Sequence, residues 1–148
     1  MSAELAPAAV VLTQVAMPEG LAAACAMSKV PVDAVPTSIG AVAVCRSTAV
    51  GDPELVAQVL SQLLKNTPVV LIVQRDGQLR AGRWSGGKQE EEVAPGLLLD
   101  GAPPEIEQLL LGQATASELP GTVTSVGMSR LRAARVLARA ARAGRRAG

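Results

Sequence analysis

Apolar positions along this chain follow two rhythms, short runs that suit strands and one long stripe that suits a helix. Ala8–Ala16 and Ile39–Arg46 are short runs dominated by Val and Ala, the pattern of strands buried in a sheet. Between them, Pro18 and Glu19 form a helix-starting pair, which predicts a short helix over Leu21–Ser28 that stops before Pro31. Pro31 and Pro36 bracket an expected loop. Asp52, Pro53 and Glu54 then supply a capping carboxylate, a first-turn proline and an acid for the positive end of a helix dipole. Behind them Leu55, Val56, Val59, Leu60, Leu63 and Leu64 recur at helical spacing, while Glu54, Gln58, Ser61, Gln62 and Lys65 are expected to face water. Asn66 and Pro68 end this helix.

Val69–Gln74 and Gln78–Trp84 are β-forming runs separated by Arg75, Asp76 and Gly77. Asp-Gly between such runs is a strong hairpin signal, because glycine accepts the positive φ of a tight turn. Gly86–Glu92 reads as a polar loop and Leu97–Leu99 as a short additional strand. Pro103 and Pro104, followed by Glu105 and Glu107, open a helix that runs through Leu111 and closes at Gly112. Strand-helix-strand units followed by a hairpin predict an α/β (mixed α+β) domain with a mixed sheet and flanking helices over residues 1–112. Residues 113–124 are expected to be a linker and residues 125–148 a basic Arg/Ala-rich helix.

Charge sharpens this division. The chain of 148 residues holds 14 basic and 13 acidic side chains, yet seven of the basic ones are arginines in the last nineteen residues, where no acid occurs. Residues 1–129 therefore carry a net charge of −6 and the tail +7. Arg132, Arg135, Arg139, Arg142 and Arg146 are spaced 3, 4, 3 and 4, which places them within an arc of roughly 80° on a helix. Ala133, Ala134, Leu137, Ala140 and Ala141 form the opposite side. A solvated face normally mixes both signs, so a stripe of one sign points to an anionic partner.

Partner chemistry narrows from there. A membrane-surface helix wants Leu, Phe or Trp opposite its charges, and alanine gives only shallow insertion. Nucleic-acid phosphates suit arginine, but the chain has no aromatic platform for stacking bases and its acidic body opposes them. An acidic protein surface needs neither and is favoured. Docking of the tail on its own acidic body is the competing intramolecular reading.

Catalytic chemistry is limited by what is missing. With no histidine, Ser-His and Cys-His nucleophilic pairs and an imidazole base are excluded, and two cysteines alone do not make a zinc site. Nothing in the residues calls for a cofactor or a metal. Gly82–Lys88 matches the phosphate-loop pattern G-x-x-x-x-G-K, but Gln89 stands where the magnesium-binding hydroxyl belongs and Glu90–Glu92 would repel phosphates. The expected role of that segment is a loop between strands. Trp84, the only aromatic residue, stands beside Arg83, and the pair is either the anchor of a binding surface or a core tryptophan next to a solvent-facing arginine.

Three function classes remain. A non-enzymatic interaction or regulatory module, whose basic helix engages an anionic partner, fits the two-part charge layout best. A nucleic-acid-associated protein gripping phosphates without sequence readout is the second, and an enzyme whose site the sequence conceals is the third. Arg outnumbers Lys 11 to 3, the composition of a GC-rich bacterial genome. Met1–Pro7 has Glu4 and no basic residue, and no apolar stretch reaches the ~18 residues of a spanning helix. A cytoplasmic protein with Cys25 and Cys45 reduced is expected.

Overall fold

The computed structural model describes residues 6–65 and 67–147, and side chains at all of these except 140 and 143–147. The elements run β1 (Ala8–Leu12), α1 (Pro18–Met27), β2 (Val32–Val35), β3 (Val42–Cys45), α2 (Asp52–Leu63), β4 (Val69–Arg75), β5 (Gln78–Ser85) and β6 (Lys88–Val93). There follow α3 (Pro95–Asp100), α4 (Pro104–Leu110), a 3-10 turn at Ala116–Glu118, β7 (Val123–Thr124) and α5 (Arg130–Ala147).

The seven strands form one sheet in the order β6-β5-β4-β1-β3-β2-β7, and every neighbouring pair is antiparallel. The α/β class with flanking helices and a C-terminal helix holds, and the sheet, expected to be mixed, is antiparallel throughout. The reason lies in the crossovers. α1 carries the chain from β1 past one strand position to β2, and β3 returns into the gap; α2 likewise carries it from β3 past β1 to β4. Each helical crossover joins strands of like direction that are not neighbours, the split β-α-β arrangement of ferredoxin-like folds. Such a topology hosts many functions and by itself implies none.

Both faces of the sheet are covered, which is why β1 and β4 are continuous apolar runs. On one face, Leu21, Ala22 and Cys25 of α1 and Val56, Ala57 and Leu60 of α2 pack on Val11, Ala34, Ala43 and Leu71. On the other, Ile106, Leu109 and Leu110 of α4 and half-buried Leu98 and Leu99 of α3 pack on Val10, Val42 and Ile72. The inward side of α2 is rotated from the expected one: Leu55 and Leu63 are half exposed, whereas Ser61 is buried and donates to the Gln58 carbonyl. Gly87 N–H donates to the Ser61 hydroxyl (2.8 Å), so this polar side chain faces the β5–β6 turn. Asn66, expected to help end α2, lies outside the described residues; α2 ends at Leu63.

Three further segments differ from expectation. The loop between Pro31 and Pro36 contains β2, with the prolines just outside the strand where their missing N–H costs nothing. Gly86 and Gly87 (φ 58° and 87°) make a two-residue turn, and the polar segment after them is β6. As an edge strand exposed at nearly every position, β6 has no apolar alternation to betray it. Leu97–Leu99 is helical, because Pro95 starts α3 at its first turn.

The segment 113–124, expected to be a linker, carries the capped 3-10 turn and strand β7. Thr115 and Glu118 form a reciprocal capping box, Ala116 is buried against the sheet, and β7 pairs with β2 through Asp33–Thr124 and Ala34–Val123. Ser125 completes the junction: its hydroxyl accepts from Val32 N–H and donates to the Val30 carbonyl, both at 2.9 Å and buried. Ser125→Ala leaves both backbone groups without that partner and is expected to cost about 1–3 kcal/mol. Chemical denaturation of the variant measures it; a loss below ~0.5 kcal/mol would mean that water replaces the hydroxyl.

Candidate functional site

α5 is held by its small apolar side. The Ser129 hydroxyl accepts from Arg132 N–H at 3.1 Å and caps the helix, and α5 then packs on α1, where Ala133 is fully buried and Val136 and Leu137 are half-buried. Those positions are spaced 3 and 4, one helical side. α1 is rich in small residues (Gly20, Ala22, Ala23, Cys25 are buried), which lets the sheet and α5 approach it closely from two sides.

The arginines lie on the far side. At 100° per residue the centre of the stripe falls roughly 140° from the Ala133 direction. Arg132, Arg135, Arg139 and Arg142 are all exposed, while the Arg146 side chain lies outside the described residues. Ion pairs among the described residues are Arg46–Asp33 (2.9 Å), Arg80–Glu92 (2.6 Å) and Arg83–Glu91 (3.7 Å), none of which involves α5. The helix thus docks through packing, and its cationic edge is left to solvent.

Arg83 and Trp84 belong elsewhere. β5 is near the opposite end of the sheet from β7, which leads into α5, so the structure does not bring them to the arginine stripe. Nor do they share a surface, because neighbours on a strand point to opposite faces. Trp84 turns to the α1–α2 face and packs half-buried on the core there; Arg83 is exposed near Glu91. Gly82–Lys88 forms the end of β5 and its turn, and the next element is a strand rather than a helix, so its backbone N–H groups do not converge on a phosphate position.

A concave feature lies beside Trp84. The α1–α2 face of β4–β5–β6 extends beyond the cover of α2 and, with the first turn of that helix, borders a half-open cavity of about 440 Å³. Leu71, Val73 and Gly82 lie along its base, Trp84 and Arg80 at its sides, and Glu54 on the helix above. Glu54 Oε2 and Trp84 Nε1 are both buried without a hydrogen-bond partner. The helical pattern assigned Glu54 to solvent and missed it; the one legible signal was Gly82, since glycine inside a strand often marks a place where something approaches the backbone closely. Among the described residues no three Cys, Asp or Glu side chains gather as metal ligands.

Cys25 and Cys45 are free and buried on this same face of the sheet. Burial pushes each thiol up to about 12, and at Cys45 the neighbouring Cys25 and Glu54 add to the effect. No helix among the described residues is long and apolar enough to cross a membrane.

Comparison with protein-family models, with curated proteins and with solved structures finds no match to this chain.

Proposed function

We infer that this protein is a non-enzymatic interaction module in which a three-layer body holds a basic helix in position for an anionic partner. The observation that supports this reading is the row of Arg132, Arg135, Arg139 and Arg142, exposed, without acidic partners among the described residues, and opposite the side that docks on α1. Arg132 to Arg142 spans about 15 Å along the axis. Guanidinium groups so arranged pair bidentately with carboxylates on a complementary acidic protein surface. An acidic protein is favoured over nucleic acid because the rest of the chain is net acidic and its single aromatic residue lies far along the sheet from α5.

Replacing Arg135, Arg139 and Arg142 together by glutamine keeps side-chain length and helix propensity while removing three charges from one edge. Binding of an acidic probe peptide, such as a short poly-glutamate, is expected to weaken roughly tenfold, from about 0.5 kcal/mol for each exposed pair. Arg83→Gln with Arg130→Gln, off the stripe, should change it far less. Equal losses from the two sets would show that diffuse charge, not the register of the helix, attracts the probe. A duplex oligonucleotide binding more tightly than the peptide, with log K falling by about 0.9 per log salt for each phosphate met, would favour the nucleic-acid reading instead.

A further inference from the structure

The cavity between α2 and the β4–β5–β6 meander has a chemical character unlike that of the α5 edge. Its volume of about 440 Å³ is in the range of small-molecule sites. Its base is aliphatic, from Leu71 and Val73, and the Gln89 side chain lies over Gly82, the position between Arg80 and Trp84 on that face of β5. A β-carbon at Gly82 would already meet the Gln89 side chain at 3.0 Å, so the space above it is closely used. The charged residues of the lining are Glu54, Asp76 and Glu92 against Arg75 and Arg80, a net charge of −1. Arg80 is bound to Glu92 at 2.6 Å, and no ion pair among the described residues reaches Glu54.

Glu54 and Trp84 line the cavity, and each keeps one polar atom, the Glu54 Oε2 acceptor and the Trp84 Nε1 donor, buried behind its wall without a partner. Each costs stability while it lacks a partner. Glu54 stands in the first turn of α2 at the cavity, and its carboxylate has no ion-pair partner among the described residues. A carboxylate and an aromatic ring over an aliphatic base form the usual environment for an organic cation, which gains a charge-assisted hydrogen bond and attraction to the ring.

We propose that this cavity binds a small organic cation, an amine or guanidine with a short aliphatic body. Its N–H groups bond the Glu54 carboxylate, and its hydrocarbon lies on Leu71, Val73 and Trp84. The site is at the other end of the sheet from α5 and does not depend on what the arginine stripe engages.

Trp84 is the only tryptophan of the chain and lines the cavity, so its emission reports occupancy directly. The full-length protein is titrated with n-butylammonium, n-butylguanidinium and n-butanol at constant ionic strength, following emission and melting temperature. Both cations are expected to give saturable changes in the millimolar range or tighter, with butanol at least about tenfold weaker. Glu54→Gln, which keeps shape and removes the charge, should weaken the cations roughly tenfold and leave butanol unchanged. Val73→Phe, which fills the base, should abolish all three responses. Absence of saturation by either cation, equal affinity for butanol, or unchanged cation binding in Glu54→Gln would each overturn the assignment. If Glu54→Gln does not fold, the comparison of cation with alcohol on the unaltered chain decides.

Discussion

Above pH 9 the folded domain will lose stability steeply, by about 5 kcal/mol at pH 11, through Cys25 and Cys45. Both thiols are buried in apolar surroundings that exclude the thiolate, which lifts them to about 12 from an ordinary value of 9.0. A raised acidity constant in the folded state means that the unfolded chain releases its protons first. The stabilisation is fully present below pH 9 and disappears between pH 9 and 12, at about 1.4 kcal/mol per pH unit for each thiol. A domain with a typical total of about 5–15 kcal/mol then approaches its unfolding threshold near pH 11. Urea unfolding from pH 8 to 11 measures the slope. The Cys25→Ala, Cys45→Ala double variant is less stable at pH 8 but should show a much flatter decline. The same slope with and without the cysteines would refute the assignment of alkaline sensitivity to these thiols.

Gln74→Leu will destabilise the protein by about 2–4 kcal/mol, although leucine is the more hydrophobic side chain and of similar volume. Gln74 is fully buried on the α3–α4 face of β4 and uses both its donors and its acceptor oxygen. Its amide nitrogen donates to the carbonyls of Ala6 (2.9 Å) and Leu110 (3.0 Å), and its oxygen accepts from Gly77 N–H (2.9 Å). One side chain thus joins the segment before β1, the end of α4 and the β4–β5 turn. Leucine would leave the buried Leu110 carbonyl without that donor. At about 2–4 °C per kcal/mol for a chain of this size, the melting temperature should fall by roughly 5–15 °C. Hydrogen exchange at Gly77 should also accelerate. A melting temperature within ~2 °C of the parent would show that the three bonds are replaced at no cost.

Local rules made some of this architecture readable and left the rest hidden for identifiable reasons. The Asp76-Gly77 hairpin and the Asp52-Pro53 helix start are dictated by adjacent residues, so they were legible. β6 was not, because an edge strand needs no apolar alternation; nor was β7, whose two residues acquire meaning only by pairing with β2 some ninety positions earlier. The rotation of α2 toward Ser61 and Glu54 arises from the hairpin beside it, a neighbour distant in sequence. At the candidate sites the arginine stripe could be seen because helical spacing is local. Arg83 and Trp84 are adjacent in sequence and on opposite faces in the sheet, which the strand's period of two already implied. The cavity joins α2 to β4 and β5, and only Gly82 hinted at it.

The union of β2 with β7 and Ser125 has a consequence for the order in which the chain assembles. The β4–β5–β6 meander closes through two tight turns, and such local pairing costs little loop entropy. β2, by contrast, gains its second neighbour only from residues near the C-terminal end. During synthesis from the N-terminus, β2 therefore remains a bare edge after all the other strands are available, with the Val32 N–H unsatisfied. Closure of that edge comes last and brings α5 onto α1, so the arginine stripe takes its place only on a completed body.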